Sequence, residues 1–344
     1  MLSGRNEYMK ISHNANLTSS EQANLWNTYI ADTLSLCVLK HFLATNHTPE
    51  IDTILKYGIS ISENHLQEIT TIFTSENIPV PHGFNEKDVD LNAPKLWSDT
   101  YYLRYLEYMG RTGLSTYSLA KSIATRKDIR VLFKKWIDQT DRLFDMVTDL
   151  SLEKGVYVRP PYTAYPTEVS YVDDERFLGG IVGEKRPLLN VEIAHLGTNI
   201  EVNNVGKTLL LGFSQVAQSK KLREYFKKGY DIAGKHVSVF LDLLKKNNTS
   251  HPSSWDGEVT ASTNSPFSDK LLLFHTNMIG AVGLADYGTA LSASLRKDLG
   301  LSYSRLIAEN AQYGNEGAKL LINNGWMEKP PSTIDRKKLQ KKPK

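Results

Sequence analysis

The sequence predicts an all-α fold of two tandem four-helix bundles, each with a long connection between its second and third helix. Three observations carry this: landmark residues repeat at a fixed offset, apolar residues recur at helical spacing between helix caps, and a connection of constant length sits in the middle of each repeat. Shifted by 171 positions, Glu21, Leu25, Phe42, Gly58, His65 and Pro81 fall on Glu192, Leu196, Phe213, Gly229, His236 and Pro252. One gap changes the offset to 170, and Ser98-Asp99, Gly113, Tyr117 and Arg126-Lys127-Asp128 then fall on Ser268-Asp269, Gly283, Tyr287 and Arg296-Lys297-Asp298. So many matches with a single gap mark a tandem duplication.

Each copy reads as four helices. The first starts at a capping box, Thr18-x-x-Glu21, and carries the stripe Leu25, Tyr29, Asp32, Leu36, Leu39, Leu43 at bundle spacing. Thr48-Pro49 supplies a cap and a proline in the first turn of the second, which stops near Glu76 before Ile78-Pro79-Val80-Pro81. Ser98 caps the third, predicted to run to about Thr125. Asp128 caps the fourth, which ends at Gly155. Short turns make helices one and two, and three and four, antiparallel pairs. Residues 77–97 form the long connection. At roughly 3.3 Å per extended residue they reach about 65 Å, enough to return along a helix of about 40 Å. That connection favours a ferritin-like crossover over an up-down-up-down bundle.

The domain division is therefore an N-terminal tail (1–17), a first bundle (18–158), a strap containing Pro and Tyr (159–188), a second bundle (189–331) and a basic tail (332–344). Pro160-Pro161-Tyr162 and Tyr165-Pro166 read as a strap packed across the bundles, with a short helix over 173–178. The net charge is +3, and the last ten residues alone carry +5, so the remainder carries −2. A body without basic excess argues against a nucleic-acid partner. The lone Cys37 fits a reducing compartment. No apolar signal or membrane-spanning run is present, so a cytoplasmic setting is expected.

Three phrases, RPPYTAYPTEV after the first bundle, PFSDKLLLFH opening the seventh helix and NNGWMEKPP closing the second bundle, resemble one family. It is a duplicated ferritin-like family without assigned function, found in endospore-forming bacteria and related to the spore coat F-type proteins. The resemblance spans residues 17–340. It implies a role in sporulating cells, with spore-coat proteins or further copies of the chain as partners, and it carries over no catalytic residue.

A ferritin-like fold raises the question of a metal. Dinuclear members use a Glu from two helices and Glu-x-x-His from the other two. This chain has one such motif, Glu192-x-x-His195, whose counterpart is Glu21-x-x-Asn24. Glu63 and His65 point about 200° apart on a helix and do not make a pair. His65 and His236 lie on apolar stripes and should face the bundle interiors, His65 level with Asp32 and His236 level with Asn203. The metal candidates are thus Asp32, His65, His236, Glu192 and His195. A hydrogen-bonded pair that fixes helix register is the competing reading for the histidines. Gly110, Gly113, Gly280 and Gly283 are expected where helices approach closely.

No phosphate loop, dinucleotide fingerprint or nucleophile elbow is present. The sequence supports a non-enzymatic structural or interaction protein with no cofactor. The alternative is a metal-binding protein or metal-dependent oxidase using iron, manganese or zinc. A pocket for a small apolar ligand between helices is a third class.

Overall fold

The computed structural model describes residues 15–180, 183, 185–249 and 254–340. The first bundle comprises α1 (Ser19–Thr45), α2 (Pro49–Ser75), α3 (Asp99–Ser122) and α4 (Lys127–Glu153). The second comprises α5 (Asn190–Val216), α6 (Lys220–Lys245), α7 (Asp269–Ala293) and α8 (Lys297–Asn323), followed by a short α9 (Arg336–Gln340). The expected all-α duplication is what the chain forms, with the long connection between the second and third helix kept in both copies.

Local chemistry sets the helix ends. The Thr18 capping box forms as the spacing predicts, and Ser98 and Ser268 accept the amides of Tyr101 and Leu271. After α4 and α8, Gly155 and Gly325 take positive φ (67° and 68°). There the amides of Val156 and Trp326 reach back to Ser151 and Leu321, closing the last turns. Asn77 and Asn248 take the same left-handed conformation where α2 and α6 end.

Four local expectations need correction. Asp128 does not cap α4: Arg126 holds the cap position, and the Asp128 carboxylate instead receives the Arg126 guanidinium. α3 ends at Ser122 rather than near Thr125, because Glu21 binds the amides of Thr125 and Arg126 and fixes that turn. Thr48 precedes α2 without capping it, since its hydroxyl donates to Asp99. The strap does not pack by its aromatics: Tyr162, Tyr165 and Tyr171 are 86, 94 and 94% exposed, and the expected helix is a 3-10 turn, Glu175–Leu178.

The two copies meet at their long connections, reciprocally. Val89 pairs with Phe267, and Trp97 pairs with Val259. Asp88 accepts the Ser268 hydroxyl at 2.6 Å, and Glu258, its counterpart, accepts the Ser98 hydroxyl. Each copy thus completes the helix cap of the other. A single core runs across the joint, holding Trp97, Tyr101 and Tyr105 of the first copy with Val205, Leu209 and Phe213 of the second.

The joint is not fully symmetric. The Trp97 indole seats on Gly212, where a Cβ would come within 2.8 Å of the ring, and donates to the Thr208 carbonyl. At the equivalent place in the first copy stands His41, which meets Phe267 edge-on at 5.5 Å. Glycine lets α3 close onto α5, whereas the His41 ring holds α7 away from α1.

Candidate functional site

The stripes of α1 and α2 bring Asp32 and His65 together at the centre of the first bundle, both buried. His65 Nδ1 donates to Asp32 Oδ2 at 3.0 Å, and the Ser62 hydroxyl donates to Oδ1 at 2.8 Å. Nε2 lies 3.3 Å from the side-chain amide of Gln139 on α4. The imidazole lies against Trp136, ring centres 4.3 Å apart, and meets Tyr117 edge-on.

In the second bundle His236 is equally buried, but its partners are exchanged. Nε2 donates to Glu309 Oε2 on α8 at 3.1 Å. Nδ1 lies 2.9 Å from the Tyr287 hydroxyl, which in turn bonds Asn203 Oδ1 at 2.9 Å. His236 and Asn203 are therefore level, as expected, but Tyr287 stands between them. Burial pushes the His236 imidazole below its ordinary value, and Glu309 opposes that only in part.

At the 170 offset Gln139 corresponds to Glu309, and at 171 Asp32 corresponds to Asn203. Each buried histidine thus bonds one carboxylate, and the acid and amide positions are swapped between copies, although the Asn203 amide reaches His236 only through Tyr287. Sequence reasoning found Asp32, His65, His236 and Asn203, and noted Tyr117 and Tyr287 only as repeat landmarks. It places Ser62 on the His65 stripe without a role, and it does not reach Gln139 or Glu309. The signal was available: an acid replaced by an amide at 32/203 invites a search for the opposite exchange, which stands at 139/309.

Glu192 and His195 do not join these centres. Arg186 grips the Glu192 carboxylate with two bonds of 2.8 Å, and the amides of Leu189, Leu295 and Arg296 also donate to it. Burial would raise this carboxyl, but the Arg186 guanidinium and the amides hold it below its usual range. His195 is half-buried on the next turn. Glu21 is the counterpart tie: despite burial, the amides of Arg126, Thr18 and Thr125 hold it down to about 2. Both glutamates fasten the start of a bundle to its third turn. Cys37 is buried and its thiol is pushed up to about 12, chiefly by burial, so it is an unreactive thiol.

A dinuclear carboxylate centre does not fit these residues, since each bundle centre offers one carboxylate and one histidine. Among the described residues no group of three or more His, Cys, Asp or Glu side chains is placed to hold a metal ion. Nor is any helix there long and apolar enough to cross a membrane.

No curated protein matches the chain. A crystal structure of a candidate spore coat protein from Bacillus halodurans C-125 is similar at 21% identity, over 44% of this chain and 98% of that one, with a TM-score of 0.40. The family described as "Protein of unknown function (DUF3231)" matches twice, over residues 7–169 and 176–339, so that each match takes in one four-helix copy. The chain therefore belongs to the DUF3231 family, of which it carries two copies in tandem.

Proposed function

We propose that the chain is a non-enzymatic structural or interaction protein built on two ferritin-like bundles, acting in a sporulating cell. One observation carries this reading. The polar groups at both bundle centres are engaged with one another: His65 with Asp32 and Gln139, His236 with Tyr287 and Glu309. Buried polar networks satisfied in this way fix a unique helix register. The cellular setting rests on the sequence resemblance to spore coat F-type proteins, and other coat proteins or further copies of the chain are the partners this reading names. A fluorescent fusion expressed during sporulation tests it. Signal concentrated at the developing spore is expected, and signal spread evenly through the mother cell contradicts the setting.

A metal-binding protein or metal-dependent oxidase is the second reading, favoured by the meeting of Asp32 and His65 at 3.0 Å. For both residues to ligate one iron, manganese or zinc ion, Asp32 must release His65 Nδ1 and the ring must turn. Thermal unfolding with and without a chelator separates the readings. The structural role predicts the same midpoint in both, and a lowered midpoint in chelator supports the metal.

A further inference from the structure

The two copies treat the same internal space differently. Beside Asp32 the first bundle opens a cavity of about 460 Å³ between α1, α3 and α4, walled on the far side by α7 and by the segment after α8. The corresponding space beside His236 is about 60 Å³. Named substitutions account for the contrast. In the second bundle Tyr313 and Tyr225 stack at 4.4 Å and fill the centre, with the Tyr313 hydroxyl lying over Gly229. Their counterparts in the first bundle are the smaller Leu143 and Ile54. Gly206 lets α7 close onto α5, whereas its counterpart is Ser35, on the wall of the cavity. The scaffold therefore has a close-packed solution, which the second copy uses and the first does not.

The cavity is a shaped site. Its walls are predominantly apolar, with Phe84, Tyr105, Met109, Phe274 and Met278 prominent, and Thr28, Thr112 and Thr140 give sparse polar lining. Its charged side chains are already engaged. Asp32 accepts His65 and Ser62, and Lys270 donates to the Gly83 carbonyl at 2.8 Å while lying over the Phe84 ring. One side is closed by the segment carrying Trp326 and Met327, pinned where Glu328 accepts the amides of His82 and Gly83 at 2.9 and 2.7 Å. Gly83 is required there. Its φ is +60°, and a Cβ would lie 2.3 Å from Thr33 Oγ1. Size, apolar walls and the absence of a free charge among these lining groups select the occupant.

We propose that the first bundle binds one neutral, largely apolar small molecule in this cavity, and that the second bundle does not. This stands apart from the structural reading above, which concerns the bundle centres and survives its failure. The test titrates the full chain with N-phenyl-1-naphthylamine, a neutral probe whose emission rises in apolar surroundings. Saturable binding of one probe per chain is expected. Thr112→Trp and Val282→Trp fill the cavity from α3 and from α7, and each should weaken binding about tenfold or more while the helical signal and thermal midpoint stay near those of the parent. A second readout does not depend on the filling variants. Trp26 and Trp326 line the cavity, so the probe should quench tryptophan emission, and the Trp26→Phe/Trp326→Phe chain should lose most of that quenching. No saturable binding, binding that folded filling variants leave within about twofold, or quenching unchanged in the double variant would each overturn the proposal.

Discussion

His65 and His236 occupy the same place in two copies of one bundle, yet each takes its carboxylate from a different helix. The common requirement is one acid beside one buried imidazole, and either neighbouring position can supply it. Asp32→Asn leaves His65 flanked by two amides and should cost about 1–2 kcal/mol. Adding Gln139→Glu installs the arrangement of the second copy and should restore at least half of that loss. Chemical denaturation of the two single variants and the double variant measures it, and strictly additive effects would refute the exchange. His65→Ala is harsher, because it strands the Asp32 carboxylate in the core, and a loss of about 3 kcal/mol is expected from the same assay. The pairing of Asp32 with His65 was legible from helical periodicity, since both interrupt or join apolar stripes at matching heights. Gln139 and Glu309 were not, because a polar residue on an amphipathic helix looks solvated until the neighbouring helix is placed.

At the scale of elements, the helices and many of their ends follow from spacing and capping chemistry: Thr18, Ser98 and Ser268, and Gly155 and Gly325 act locally. Where a helix end departs from expectation, the capping group has another partner: the Asp128 carboxylate receives Arg126, the Thr48 hydroxyl donates to Asp99, and Glu21, besides closing its capping box, binds the Thr125–Arg126 turn. The strap departs from expectation because its tyrosines, apolar enough to pack, keep their rings in solvent. Glu21 gives an element-scale prediction. Its carboxyl is held down to about 2 in the folded chain against 4.5 for an unperturbed glutamate, so its contribution is complete above the higher value. That contribution is lost as pH falls from about 4.5 towards 2. Glu21→Gln should lower stability near neutral pH and flatten the acid limb of the stability profile, and an unchanged acid limb would contradict the tie.

Over the whole molecule, the reciprocal caps and shared core make the two bundles one cooperative unit. A single thermal transition is expected for the full chain, and two separable transitions by calorimetry would contradict it. The joint also carries a pH signature. Arg111 of α3 bridges Glu107 at 2.7 Å and Glu201 of α5 at 3.3 Å. Arg111 and the nearby Arg104 offset only part of the burial of these two acids, and burial, with the Glu107 charge adding to it, pushes Glu201 up to about 7. The folded chain then retains a proton that the unfolded chain has lost, so the contribution of Glu201 to stability falls as pH rises from about 4.5 to 7. Glu201→Gln should reduce the fall over that window and raise stability above pH 7. The most direct test of the central claim, that the buried histidine centres hold the bundles together rather than a metal, is metal content. It is measured by mass spectrometry on untagged full chain, grown with iron, manganese and zinc and purified without chelator. Far less than one transition metal per chain is predicted. About one per chain, lost in Asp32→Asn, would contradict the account.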